Sequence, residues 1–217
     1  MNTYKYLITS IAAIAVMASC QPKGGKNYNK TTNPDSSKTA DTSQPAYMPG
    51  DKPVPLSQLI VPGISIGQVA INEGSESVHE KLGRPDAGDA AMGKSVSIWY
   101  ANHDTTGYQT QIYFSRDMGN DETARVKQIR VTSPFFKVTE DLFTGQPFKT
   151  AAGQFKLVKM GTFSSNGKTY TIYDDKATGI SFEEDADGKC TGITIHNPGR
   201  DVTGTYLTFF PNLQYAK

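Results

Sequence analysis

The chain has 217 residues, with 22 Lys+Arg against 21 Asp+Glu, a formal charge of +1, 37% hydrophobic residues, 20 Gly and 12 Pro. That length holds one medium domain or two small ones, and Gly plus Pro are too few for a collagenous or wholly low-complexity chain. A near-neutral balance argues against nucleic acid, which needs a cationic surplus, and two cysteines build neither a disulfide scaffold nor a four-Cys zinc site.

In chain order, Lys5 and the amino terminus give a positive start, and Tyr6 to Val16 is an uncharged apolar run. It is too short to cross a bilayer, which takes about 20 residues, and small residues follow it, so residues 1–19 read as a removed signal peptide. Met17-Ala18-Ser19-Cys20 resembles the lipobox of bacterial lipoproteins, with Met17 where Leu is more usual. The resemblance implies that Cys20 is diacylated on sulfur, that the signal is cut before it, and that its new amine is acylated. Several acyl chains make a stable membrane anchor, whereas one alone is marginal. Gln21 is not the aspartate that signals inner-membrane retention, so the expected place is the bacterial cell envelope, anchored in the outer membrane.

Residues 20–54 carry the lipidated cysteine and a flexible tether. Few of these residues are apolar, too few to offset their ordering entropy. As a coil the tether spans roughly 30–35 Å, enough to clear a headgroup layer. Residues 55–217 hold 16 Lys+Arg and 18 Asp+Glu, so no steering field stands out.

Ser75–Pro85 has the marks of a short helix: an N-terminal serine, early Glu76, Val78 and Leu82 four apart, then Gly83 and Pro85. Period-two strand signals follow twice in the same order. The first set is Val96, Ile98, Tyr100; Ile112, Phe114; and Val126, Ile129, Val131. The second is Tyr170, Ile172; Ile180, Phe182; and Cys190, Ile193, Ile195. In both last strands a step of three breaks the alternation, which predicts a bulge after Val126 and after Cys190. A second, weaker helix spans Thr150 to Val158, Asp187-Gly188 marks a tight turn, and Thr205–Phe210 is one more strand, stopped by Pro211. The expected fold class is therefore α+β, with two tandem repeats (55–134 and 135–217), each a short helix packed on a small antiparallel sheet.

Ile64-Ser65-Ile66-Gly67, Val78-x-x-x-Leu82-Gly83-x-Pro85-Asp86, Trp99-Tyr100, Ile112-Tyr113-Phe114 and Val126-x-x-Ile129 resemble the small bacterial lipoprotein domains of the SmpA/OmlA type. The doubled form resembles the tandem arrangement of β-lactamase inhibitor proteins. Asn72-Glu73-Gly74 departs from the Gly-Met-Ser/Thr that usually opens the helix there. What the resemblance implies is a protein-binding or envelope-assembly role without turnover.

Gly63-Ile64-Ser65-Ile66-Gly67 matches the G-x-S-x-G string of serine hydrolases, but that string works only on a strand-to-helix elbow, and the surrounding pattern supplies none. His79, His103 and His196 share no ligand spacing, so neither metal nor cofactor is expected. Glu183-x-Asp185-x-Asp187-Gly188 mimics the start of a calcium loop, yet position twelve is Thr194 where a bidentate Glu is required. Cys190 reads as a small buried hydrophobe carrying a free thiol.

The remaining constellation is one sheet face. If Ile98, Ile112, Phe114, Ile172, Ile180 and Phe182 point inward, alternation displays Trp99, Gln111, Tyr113, Tyr173 and Ser181 on the other side, with Arg130 and His196 joining beyond the bends. Trp99, Gln111, Tyr113, Arg130, Tyr173 and His196 then form a candidate binding face of aromatic and polar composition. The expected function is a non-enzymatic, lipid-anchored envelope protein that uses this face on a protein partner, for assembly, scaffolding or inhibition. The alternative is a lipoprotein for a carbohydrate or other small ligand, with Trp99 and the tyrosines stacking on it. A flat aromatic surface favours the first reading; a closed pocket favours the second.

Overall fold

The computed structural model describes residues 53–217. The signal peptide, Cys20 and the tether to residue 52 lie outside the described residues. Two-residue strands β1 (Ile60–Val61), β2 (Ser65–Ile66) and β3 (Val69–Ala70) make a small antiparallel sheet ahead of helix α1 (Ser75–Leu82). α1 forms where the sequence predicts it: Val78 is fully buried, and the Gly83 amide donates to the His79 carbonyl at 2.8 Å to close the last turn. Glu73, just before the helix, ties it down by accepting from Ala70 N (3.0 Å), Ser77 Oγ (2.5 Å) and Lys81 Nζ (2.6 Å).

Four strands then run as a meander: β4 (Ala87–Ala91), β5 (Lys94–Tyr100), β6 (Gln109–Asp117) and β7 (Asp121–Val131). After the short pair β8 (Lys137–Thr139) and β9 (Leu142–Phe143) comes helix α2 (Lys149–Ala152), only four residues long. A second meander follows: β10 (Val158–Ser165), β11 (Lys168–Asp175), β12 (Ile180–Glu184) and β13 (Cys190–His196), with β14 (Gln214–Tyr215) at the end of the chain.

The meanders join through their last strands into one nine-stranded antiparallel sheet, ordered β14-β10-β11-β12-β13-β7-β6-β5-β4. Of the described residues 47% are strand and 9% helix. This corrects the expected fold class. The protein is mostly β, a single continuous sheet, and not an α+β tandem of helix-on-sheet repeats. The reason lies in the β13–β7 seam, where Ile193, Thr194, Ile195 and His196 pair with Val131, Arg130, Ile129 and Gln128. Joining the two edges satisfies backbone groups that separate sheets would leave open.

Both predicted bulges are present. Lys127 is the extra residue between Val126 and Gln128, and Thr191 between Cys190 and Gly192. The predicted strand at Thr205–Phe210 is not. That stretch is irregular, with Phe209 and Phe210 both buried in succession and the Phe210 amide turned onto Thr208 Oγ1 at 3.0 Å. Two consecutive inward rings defeat a period-two strand, and the Thr side chain offers the backbone a local partner instead.

The sheet has an apolar core on each face. One lies under β1–β3, α1, β8–β9 and α2, and includes Ile112, Phe114, Val126, Ile129, Phe182 and Ile193. The other lies under the C-terminal segment and includes Val96, Tyr113, Phe163, Ile172, Val202, Phe209 and Phe210.

Candidate functional site

Register decides which side chains share a face, and it separates the six candidate binding residues. Trp99 pairs with Thr110, Thr110 with Val131, Val131 with Ile193, Ile193 with Phe182, and Phe182 with Tyr173. Trp99 and Tyr173 therefore cap the two ends of one row in the helix-side core. Trp99 is 9% exposed, with its indole Nε1 donating to the Gly83 carbonyl at 3.1 Å, and Tyr173 lies on Phe148 with ring centroids 4.5 Å apart. The neighbouring row on the opposite face runs Ile98–Gln111–Arg130–Thr194–Ser181–Asp174. Hence Gln111, Tyr113, Arg130 and His196 do share a face, while Trp99 and Tyr173 do not join them. The expected phase was wrong at Ile98 and Ile172, which lie on the Arg130 face. Alternation fixes a strand's period, but only pairing fixes its phase against its neighbour.

On that face Arg130, from the C-terminal end of β7, is buried, and it meets Glu183 of β12 in a bidentate pair: Nε donates to Oε1 at 2.6 Å and Nη2 to Oε2 at 2.7 Å. Burial works against the guanidinium charge, but the attraction and hydrogen bonds of Glu183 outweigh it and hold Arg130 above its ordinary pKa. The remaining nitrogen, Nη1, donates to Gln111 Oε1 at 3.1 Å, and Gln111 Nε2 donates to Gln109 Oε1 at 3.0 Å. Gly192 on β13 makes room for this arrangement: a Cβ there would stand 2.5–2.6 Å from the Glu183 carboxylate. The same charge reaches the thiol of fully buried Cys190, which burial first and Glu183 second push up to about 12.

Above this floor opens a pocket of about 370 Å³. Gln109, Gln111, Arg130, Thr132, Ser165, Asn166, Glu183 and Thr191 supply polar groups, and Tyr100, Phe163, Tyr170 and Phe209 supply rings. Phe163 and Tyr170 stack at 5.1 Å, which sets the wall's orientation. Thr191, the bulge residue of β13, reaches the pocket because a bulge re-aims its side chain. The volume lies within the range of about 300–1,000 Å³ in which small ligands are held.

A second buried network lies further along β13. His196 Nε2 meets Asp174 Oδ1 at 2.8 Å and its Nδ1 meets the Asn197 carbonyl at 3.0 Å, both partners being acceptors. Asp174 Oδ2 also accepts from Val202 N at 3.4 Å, and Gln128 Nε2 donates to the Val202 carbonyl at 2.8 Å. These contacts bind the C-terminal segment to the sheet. Thr194 Oγ1, between the two networks, is buried without a hydrogen-bond partner.

Other candidate chemistry dissolves on inspection. Ser65 lies in two-residue β2 with no elbow, and Gly63 is required by crowding, since a Cβ there would meet the Thr178 carbonyl at 2.8 Å. Glu183 is spent on Arg130, while Asp185 Oδ1 accepts the amides of Asp187 and Lys189 within its own turn. Among the described residues no group of three or more His, Cys, Asp or Glu is placed to hold a metal ion. No helix among them is long and apolar enough to cross a membrane. Sequence reasoning missed Tyr100, Gln109, Phe163, Tyr170, Glu183 and Phe209. One usable signal was Arg130 between Ile129 and Val131, since a cation in a buried strand demands a buried acid.

No protein-family model matches the chain, and no curated protein matches it. Two solved structures are similar. An extracellular protein containing a SCP domain from Bacillus anthracis shares 11% identity over 74% of this chain, with a TM-score of 0.35. This chain spans about half of that protein, 51%. A DUF4309 family protein from Bacillus subtilis shares 15% identity over 62% of this chain and 88% of its own, with a TM-score of 0.36. At these values neither likeness bears on what this chain does.

Proposed function

We propose that this chain is an exported, lipid-anchored protein of the bacterial cell envelope that binds a small, uncharged, hydroxyl-rich ligand of the saccharide class in the Arg130 pocket. The charged start, short apolar run and Met17-Ala18-Ser19-Cys20 support the anchored location. The observation that carries the binding reading is the pocket's composition: a charge-balanced Arg130–Glu183 floor, three amide side chains (Gln109, Gln111 and Asn166), and four rings. Amides and hydroxyls match the donor and acceptor pairs of sugar hydroxyls, and rings give the apolar faces of a pyranose a surface to lie on. A floor without net charge has no preference for an ion.

The acids of the pocket support binding without turnover. Hydrolysis of a glycoside uses two carboxyl groups facing each other across the bond. Glu183 is the single carboxylate among the described residues lining this pocket, and both its oxygens are held by Arg130. The protein-partner reading required displayed rings at Trp99 and Tyr173, and those rings are packed on the other face.

Saturation-transfer NMR of the full-length chain against a panel of neutral mono- and disaccharides tests this reading. At least one sugar should bind with a signal lost in Tyr170→Ala and in Gln109→Ala, both residues being partly exposed at the pocket. A panel that gives no signal, or a signal unchanged in both variants, refutes it.

A further inference from the structure

A second pocket, of about 490 Å³, opens on the same face at the other end of the seam, beside Gln128 of β7 and His196 of β13. Where the first pocket is charge-balanced, this one carries a positive surplus. Lys127, Lys176 and Arg200 line it against a single acid, Asp201. Asp201 is engaged within its own turn, where Oδ1 accepts from the Thr203 amide at 2.8 Å and from Thr203 Oγ1 at 2.7 Å. Lys127 comes from the β7 bulge, which brings it to the same pocket as the following residue, Gln128. Its ammonium donates once, to Asn72 Oδ1 at 3.1 Å, and has two further hydrogens to give. Lys176 and Arg200 are exposed, and their side chains have no hydrogen bond or ion pair among the described residues.

From this convergence of three cations in a concave, polar-floored site, we infer that the pocket binds a multiply charged oxyanion of the phosphate-ester class. One acid cannot neutralise three cations, so a ligand bearing two negative charges completes the balance. Arg200 offers a planar fork to two oxygens, and the lysines act as point charges on the rest. The site stands on its own residues and does not depend on the saccharide reading of the Arg130 pocket.

Calorimetric titration of the full-length chain with sodium pyrophosphate, against sodium chloride at matched ionic strength, reads the binding directly. We expect saturable one-to-one binding to pyrophosphate, weakened tenfold or more in a Lys176→Ala/Arg200→Ala double variant. Both side chains are exposed, so the variant should keep the parent circular dichroism spectrum. Vesicle flotation of the Cys20→Ala chain identifies the natural source. Pyrophosphate-sensitive flotation with phosphatidic acid, whose phosphomonoester can carry two negative charges, but not with phosphatidylcholine points to a lipid headgroup, while pyrophosphate binding without flotation points to a soluble phosphate ester. Either result upholds the site. Absence of saturable pyrophosphate binding, or equal affinity in the folded double variant, overturns it.

Discussion

Replacing Arg130 by methionine tests the architecture of the first pocket most directly. The substitution keeps an unbranched side chain but leaves the Glu183 carboxylate, 1% exposed, without its two charge-assisted hydrogen bonds. Breaking a buried ion pair by removing one partner costs about 3–5 kcal/mol, because the remaining charge stays desolvated. For a domain of this size each kcal/mol moves the melting temperature by about 2–4 °C, so Arg130→Met should melt about 6–20 °C lower. Urea unfolding should show the loss in the midpoint with little change in slope. Removing both charges, as Arg130→Met/Glu183→Leu, should restore most of the stability, because a well-packed apolar pair can match or exceed a buried ionic one. The singles and the double thus form a cycle whose coupling should be large. An Arg130→Met variant within about 1 kcal/mol of the parent would refute the reasoning, as would a double variant that loses the sum of both singles.

Gly192→Ala should destabilise by about 1–3 kcal/mol in urea unfolding, since its Cβ would stand 2.5 Å from the Glu183 carboxylate carbon; an unchanged midpoint would show that the carboxylate yields freely. Cys190 should resist thiol reagents in the folded protein, because it is fully buried and its pKa is pushed up to about 12. Labelling should therefore follow the unfolding rate, and fast stoichiometric modification of native protein would contradict the packing. For Glu73, burial favours the neutral acid, but Lys81, Ser77 and the Ala70 amide outweigh it and hold the carboxyl below its ordinary 4.5. Its contribution is present above about pH 4.5 and fades as the pH falls through the lower folded-state value. Acid unfolding of Glu73→Gln should therefore be less steep than the parent's below pH 4.5, and parallel curves would remove Glu73 as a source of acid sensitivity.

How much of this was legible in the sequence follows from what each signal measures. Hydrophobic period located every long strand except β4 and β10, and it located α1, because alternation and the Gly83-x-Pro85 stop are local properties. The two bulges were legible for the same reason, as a step of three at Val126 and at Cys190. What failed was everything set by pairing across the chain. Trp99 was placed with Tyr113 because both belong to aromatic, period-two stretches, yet Trp99 pairs with Thr110 and falls on the other face. A sheet with an apolar core on both sides gives no clue to phase from composition alone. The fold class failed likewise, since nothing local announces that β7 will seek β13, some sixty residues on. Of the site, Gln111, Tyr113, Arg130 and His196 do share one face, while Glu183 stands in the sequence only as the start of a calcium-loop look-alike. Its true role depends on Arg130, which lies on the other meander.

The C-terminal segment carries a consequence for the order of events in assembly. Phe209 and Phe210 roof the second core, and Phe209 also borders the first pocket; both follow β13, the last strand of the second meander. A chain that emerges from its amino terminus therefore passes through a stage in which strands β4 to β7 and β10 to β13 are paired but one greasy side is still bare, since long-range pairing must precede this closure. During that interval Val96, Phe163 and Ile172 face water, and association with other chains competes with folding. Clipping the terminus before Phe209 should freeze the protein in that sticky, roofless form, able to fold its helix side yet unable to shape a cavity.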